Sequence, residues 1–277
     1  VIAYPFTKCH GAGNDFVLID ATSGILLPVD LSAWARCLCD RRQGIGADGL
    51  LLLLPSHSAD FRMRIFNADG SEPSMCGNGA YCMACYIDER KAPFKTLLLE
   101  TGCGGVSFRK IEGRIALLFP PPKILFWPLS LEGEVAYVVD TGVPHAVLWV
   151  DDLKAARVEE LGRKIRSAEP LGPQGANVNF VQKIAPDQIA VRTYERGVEA
   201  ETLACGTGVV AAALVALRLG RVMADRVEVF TRVDFQSMRN ALSHQVLYSG
   251  SGGEERLEML GSCVFVFEGI LKRLSAI

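Results

Sequence analysis

Apolar positions along this chain fall mostly into short runs rather than at helical spacing. Runs rich in β-branched, leucine and aromatic residues occupy Phe16–Asp20, Leu50–Leu54, Phe61–Phe66, Thr96–Glu100, Ile115–Phe119 and Val135–Asp140. Further runs lie at Ala146–Val150, Val178–Gln182, Ile189–Glu195, Val227–Phe230 and Val264–Phe267. Several alternate, as in Phe61-Arg62-Met63-Arg64-Ile65-Phe66, which predicts half-buried antiparallel strands. Helical patterns are fewer. Leu31–Arg41 follows Asp30, a suitable N-cap, and Val158–Ile165 is amphipathic. Two further helices, near 77–90 and 206–219, carry almost no polar face, so protein must enclose them. In the second, Arg218 falls in the last turn, where a cation is favoured, and Gly220 ends it. Two apolar helices among many strands predict an α+β fold of two domains, each a mainly antiparallel sheet wrapped around a central buried helix. Pro120-Pro121-Pro122 is the linker candidate between them.

The two halves repeat. Phe66 to Gly79 and Tyr194 to Gly208 each read as strand, polar turn, Cys-Gly-x-Gly and buried helix, about half a chain length apart. The second copy has one more residue in its turn. Each Cys-Gly-x-Gly stands at a helix start, where free backbone N–H groups and the positive helix end favour a thiolate. Glycines there let a substrate carboxylate approach the backbone. Two such thiols, Cys76 and Cys205, one per domain and facing across a cleft, suit inversion at an α-carbon: one removes the hydrogen and the other reprotonates the opposite face. No G-x-x-x-x-G-K-[ST] is present, and no G-x-G-x-x-G opens a helix. Gly11-Ala12-Gly13-Asn14-Asp15 leads into a strand and is not expected to cradle phosphate.

Composition narrows the setting. The chain has 277 residues, 49% apolar and 22% charged, with a formal net charge of -2, as in a soluble globular protein. Without a basic stripe, nucleic acid is not an expected partner. The apolar runs Gly49–Pro55 and Val209–Leu217 are too short to span a membrane, and Val1–Phe6 lacks signal-peptide character. The nine cysteines are an odd, scattered set, which argues for a reducing cytoplasm over a disulfide framework. Cys82-Met83-Ala84-Cys85 has the spacing of a redox or zinc motif, but no second pair follows and none of the four histidines is paired at ligand spacing. Cys82 and Cys85 are therefore read as small apolar helix residues, and Cys37, Cys39, Cys103 and Cys263 as similar packing residues. No metal and no cofactor are expected.

These residues resemble the diaminopimelate epimerase family. The resemblance rests on Lys8-Cys9-His10-Gly11-Ala12-Gly13-Asn14-Asp15-Phe16, Arg64 to Glu72, Met75-Cys76-Gly77-Asn78-Gly79, Pro144-His145, Tyr194-Glu195-Arg196-Gly197 and Ala204-Cys205-Gly206-Thr207-Gly208, all in the family's order. Val266-Phe267-Glu268-Gly269 is similar to its ending. The resemblance implies a diaminopimelate epimerase-like fold, with an N-terminal half over 1–120 completed by 265–277 and a C-terminal half over 121–264. It implies interconversion of LL- and meso-diaminopimelate, a small diamino-dicarboxylic acid, for lysine and cell-wall precursors. Cys76 and Cys205 match the catalytic pair, with Cys205 accepting and Cys76 donating a proton from LL to meso. His145 and Glu195 match residues that tune the thiols. Asn14, Asn67, Asn177, Glu195 and Arg196 match substrate-binding positions, and Gly77, Asn78, Gly206 and Thr207 the backbone carboxylate site. A homodimer is an expectation of the resemblance alone.

The chain departs from the family pattern in places. Val143 stands where many members have Asn, Gly49 where some use Gln, Tyr81 where Arg is common, and Phe267 where a Tyr supports dimerisation in some members. The stretch Arg232–Tyr248 matches poorly. The nearest rival reading is a two-thiol racemase or epimerase of the proline racemase type, which usually has His or Ser in place of Asn78. Rivals of another class are a thiol redox protein using Cys82 and Cys85, and a non-catalytic ligand-binding protein.

Overall fold

A computed structural model of the chain describes residues 3–202, 205–223, 225–231, 242–250 and 255–271. Residues 203–204, just ahead of Cys205, and 232–241, the first part of the divergent stretch, lie outside the described residues. The chain divides into two compact units, Val1–Leu117 with Gly261–Ile277, and Leu118–Leu260.

The first unit holds β1 (Tyr4–Gly11), β2 (Asn14–Asp20), α1 (Leu31–Cys39), β3 (Gly49–Leu54), β4 (Phe61–Asn67), α2 (Gly77–Tyr86), β5 (Thr96–Thr101), β6 (Gly104–Ile111) and β7 (Arg114–Leu118). A returning strand from the C-terminal end of the chain, Val264–Leu271, pairs antiparallel with β1. From that strand the pairing runs through β1, β2, β3, β4, β5, β6 and β7. All contacts are antiparallel except β2 with β3 and β4 with β5. Parallel neighbours need a crossover, and these two crossovers carry α1 and α2.

The second unit holds β8 (Lys123–Leu131), β9 (Glu134–Asp140), β10 (Pro144–Trp149), α3 (Val158–Arg166), β11 (Asn177–Ala185), β12 (Gln188–Glu195), β13 (Ala200–Thr202), α4 (Gly206–Arg218), β14 (Arg226–Thr231), β15 (Leu242–Ser249) and β16 (Arg256–Leu260). Its sheet runs β8, β9, β10, β11, β12, β14, β15, β16, with β13 a short antiparallel flap on β12. The parallel pairs are β10 with β11 and β12 with β14, crossed over by α3 and α4. Parallel and antiparallel contacts thus follow in the same order in both units. The repeat read from two short motifs extends to a whole strand topology. Val264–Leu271 is β17.

Two α-helices per unit, among the described residues, explain the patterning. In β3, Leu50 and Leu52 join Trp34, Ala35 and Leu38 of α1 in one core, while Leu51 and Ile65 pack under Gly79 of α2. A strand covered on both faces reads as an unbroken apolar run. The inner helices have no solvent face. Residues Gly79 to Ala84 of α2 and Gly208 to Ala216 of α4 are buried throughout. Each fully buried Val or Leu contributes about 1.5–3 kcal/mol, and the intervening alanines let strands come close. The outer helices keep a polar face: α1 is capped by Asp30, whose carboxylate accepts from Ala33 N–H at 2.9 Å. The helix expected over 77–90 changes character at Tyr86, and Ile87–Lys91 continues it as one wider π turn. Arg218 ends α4 and donates to both Glu255 oxygens at 2.6 and 2.5 Å.

Some departures from the family pattern gain a reason. Tyr81 is buried, its hydroxyl accepting from Leu117 N–H at 3.2 Å and its ring packed against the Gly261 backbone. A Cβ at Gly49 would lie 2.8 Å from the Phe66 carbonyl oxygen, so this backbone leaves room for glycine alone.

Candidate active site

Cys76 and Cys205 hold the same station in their units, as N-caps of α2 and α4, each with extended backbone. The Cys76 sulfur accepts from Gly79 N–H at 3.5 Å and also faces Asn14 Oδ1 at 3.7 Å. Asn14 reaches it from a tight β1–β2 hairpin in which Ala12 and Gly13 both take positive φ. The Asn14 amide cannot turn over, because its NH2 donates to Asp48 Oδ2 at 2.9 Å. Its oxygen therefore favours the protonated thiol of Cys76, while Gly79 N–H favours the thiolate. Asp48 is itself placed by Asp15, whose carboxylate accepts from Arg41, Lys8 and Asp48 N–H. Burial alone would raise the Asp15 pKa. The Arg41 and Lys8 hydrogen bonds outweigh it and hold that carboxyl well below the usual range.

Cys205 is more enclosed, with 9% exposure. Burial and then the Glu195 charge push its thiol pKa up. The Thr207 hydroxyl, 3.4 Å from the sulfur, and the N–H groups of Gly208 and Thr207 pull it down. Glu195 Oε2 accepts from Thr202 at 2.8 Å. Asn177 Oδ1 accepts from Arg196 N–H at 2.9 Å, which leaves the Asn177 NH2 for a ligand. The Arg196 guanidinium reaches the carbonyls of Gln174 and Gly175 only at 3.4 and 3.5 Å. Asn67 is exposed, and its NH2 donates to Ser71 at 2.9 Å.

Strand alternation gathers these groups. Ala146, Leu148, Val178, Phe180 and Tyr194 face α3. His145, Asn177, Asn179, Thr193 and Glu195 have the opposite parity on β10, β11 and β12, and so share the α4 face. In the first unit, Asn14 and Asn67 likewise oppose the α1-facing Val17, Ile19 and Phe66. The structure thus collects Cys205, Gly206, Thr207, His145, Asn177, Glu195 and Arg196 in one unit, and Cys76, Gly77, Asn78, Asn14 and Asn67 in the other.

Three orienting residues escaped the sequence reading: Asp48, Asn179 and Thr193. Asn177-Val178-Asn179 carries a signal, since two amides two apart in an apolar strand must share one face. Asn179 Nδ2 lies 3.0 Å from His145 Nδ1 and 3.4 Å from the Ala146 carbonyl, while Asn179 Oδ1 accepts from Thr193 Oγ1 at 3.0 Å. A carbonyl can only accept, so the amide edge facing it, and facing His145, is the NH2. His145 Nδ1 is then unprotonated and the ring proton sits on Nε2, which has no hydrogen-bond partner among the described residues.

His145 is fully buried, and desolvation followed by the Arg196 charge lowers its pKa from 6.5 to about 3. It can support a thiolate only as a neutral N–H donor, not as an imidazolium. The folded chain keeps His145 neutral down to about pH 3, whereas the unfolded chain binds that proton near 6.5. Stability from this residue is complete above about pH 6.5 and is lost as pH falls toward 3, by at most about 1.4 kcal/mol per pH unit. Buried His244 acts in the same direction. Urea midpoints measured from pH 7 to 4 should fall less steeply in His145→Gln than in wild type; equal slopes would refute the assignment.

The glycines divide the work more sharply than the motif suggests. A Cβ at Gly77 would meet nothing within 4 Å, whereas at Gly79 it would come 3.0 Å from Leu51 and at Gly208 2.4 Å from Asn179 Oδ1. Gly77 leaves its helix start open to a ligand, whereas at Gly206 a Cβ would touch the Met259 methyl at 3.4 Å; the second glycine of each motif lets the helix sit close on its sheet. Gly77→Ala should therefore leave Tm within about 2 °C of wild type yet raise KM at least several-fold, because the methyl projects where a carboxylate would approach. An unchanged KM would show that no ligand uses that opening.

Known proteins are similar to this chain. A model of the diaminopimelate epimerase family matches residues 6–110 and 137–234. A diaminopimelate epimerase of Archaeoglobus fulgidus is 40% identical over 287 aligned positions, covering 96% of both chains. One of Methanothrix thermoacetophila is 44% identical, covering 82% of this chain and 85% of its own. Among solved structures, a PhzF-family phenazine biosynthesis protein of Bacillus anthracis superposes with a TM-score of 0.69 at 17% identity, covering 98% of this chain and 99% of its own. A hydroxyproline epimerase of Agrobacterium vitis gives 0.59 at 17% identity, covering 98% and 91%. At such identity these two attest the fold alone, whereas the family match and the relatives at 40% and above place this chain in the diaminopimelate epimerase family.

Proposed function

We propose that this chain epimerises LL-diaminopimelate to meso-diaminopimelate without a cofactor, using Cys76 and Cys205 as its two proton-transfer groups, and serves lysine and cell-wall precursor synthesis. The observation that carries the reading is one device built twice: a cysteine that caps a buried helix and is followed at once by a glycine, on the same strand topology. In the LL to meso direction, the Cys205 thiolate takes the α-proton as the Cα–H bond breaks. The electron pair left behind spreads onto the α-carboxylate, which N–H groups of the two helix starts stabilise. The Cys76 thiol then gives its proton to the opposite face and becomes the thiolate. Asn14, whose oxygen favours protonated Cys76, suits this division of roles. His145 contributes a neutral N–H donor, and the Glu195 charge, which raises the Cys205 thiol pKa, makes the Cys205 thiolate a stronger base once formed. Arg196, Asn177 and Asn67 offer a guanidinium, an NH2 and an amide oxygen for the distal carboxylate and ammonium.

Nine cysteines that stand outside disulfides agree with a reducing cytoplasm. Exposed Val264, Val266, Phe267 and Ile270 on β17 suit a homodimer, which sedimentation would detect. The decisive experiment is incubation with LL-diaminopimelate in D₂O. Deuterium should enter the α-position of the meso product, and absence of both exchange and product would overturn the reading.

A further inference from the structure

The cysteines left outside the reaction are not scattered in space. Cys9 on β1, Cys82 on α2 and Cys263, just before β17, bring their sulfurs within 4.8 Å of one another. Cys9 and Cys82 are fully buried, and Cys263 is half-buried. Three separate segments aim these side chains at one point. The β-bulge between Lys8 and Cys9 shifts the register of β1 against β17 beside the cluster. Cys82 points toward β1, since a Cβ on Gly11 would meet its sulfur at 3.4 Å. Gly261 lies against the Tyr81 ring and keeps the 261–263 segment on α2. Cys85 follows one helical turn beyond Cys82 on the same helix, outside this group of three sulfurs.

We propose that Cys9, Cys82 and Cys263 form a binding site for a thiophilic metal ion, zinc(II) or copper(I), with Cys85, three residues along α2 from Cys82, available as a fourth sulfur ligand. Sulfurs ligating a common ion at about 2.3 Å lie roughly 4 Å apart, so the observed spacing needs a shift of under about 1 Å. An all-sulfur set selects soft ions over magnesium, calcium or manganese. Binding replaces thiol protons, which leave to solvent past half-buried Cys263. The ion would cross-link β1, α2 and the start of β17 within the first unit, so its effect falls on stability rather than on the proton transfers. None of the four residues belongs to the thiol pair assigned to epimerisation. The C-x-x-C spacing looked unpartnered in sequence because its partners come from opposite ends of the chain.

The test uses full-length protein, stripped of metal under reducing conditions and titrated anaerobically in two arms. One arm uses cobalt(II) as the spectroscopic probe, displaced by zinc(II); the other uses copper(I). Wild type should bind one ion per chain in at least one arm, with thiolate-to-metal charge-transfer absorption and an upward shift of Tm. Affinity should fall about a hundredfold or more in Cys263→Ser, yet persist in Cys37→Ser, in Cys103→Ser and in the double variant Cys76→Ala/Cys205→Ala. The proposal is overturned if neither arm shows stoichiometric thiolate binding in wild type. It is equally overturned if Cys263→Ser binds as wild type does, or if binding vanishes with the Cys76 and Cys205 thiols. Because epimerase activity is not the readout, these outcomes are independent of the functional reading above.

Discussion

Cys76→Ser and Cys205→Ser are each expected to lower kcat for epimerisation by about a thousandfold or more while leaving the chain folded. Serine is nearly the same size as cysteine, but its hydroxyl ionises far less readily, so neither a competent base nor a matched acid remains at that position. Epimerisation needs both in every turnover, which is why either loss suffices. Folding should survive because serine is a favoured N-cap, and at position 76 it can keep the Gly79 N–H hydrogen bond. At position 205 the pocket already accommodates a polar neighbour, the Thr207 hydroxyl. The check is meso product by NMR beside Tm by circular dichroism. Full turnover in either variant would sink the two-thiol mechanism; loss of both fold and turnover would be answered with the alanine variants.

Gly208→Ala should damage both stability and rate, in contrast to Gly77→Ala. The added Cβ would sit 2.4 Å from Asn179 Oδ1. That amide cannot step aside cheaply: it is held by Thr193, by the Ala146 carbonyl and by His145. Nor can the helix withdraw, since residues Gly208 to Ala216 of α4 are buried. Overpacking of this kind costs about 1–3 kcal/mol, a Tm loss of roughly 2–12 °C at the about 2–4 °C per kcal/mol of larger chains. Displacing Asn179 also releases the His145 ring, so kcat should fall along with Tm. ¹⁵N NMR of the imidazole gives a separate readout: wild type should show one neutral tautomer protonated at Nε2, and the variant a mixture. A variant as stable and active as wild type would mean that the Asn179 contact is dispensable.

What the sequence determined by itself was local and periodic. Alternation placed strands such as β4 and β12, and the absence of polar positions marked α2 and α4 as enclosed, because burial demands apolar side chains at every helical angle. The duplicated Cys-Gly-x-Gly announced two equivalent helix starts, since capping geometry is written in adjacent residues. Strands β1, β6, β8, β13, β15 and β16 were not singled out, β13 having been read partly as turn, as their form depends on neighbours in the sheet. Only the tertiary structure decided what partners each polar group finds. Strand pairing set Asn179 against His145 and so fixed its proton on Nε2. It set Asn14 between Asp48 and Cys76, and it made the second glycine of each motif a packing residue rather than a seat for ligand. It also gathered Cys9, Cys82 and Cys263, residues from both ends of the chain, around one point. Such contacts depend on the register between strands, and no spacing along a single segment encodes that.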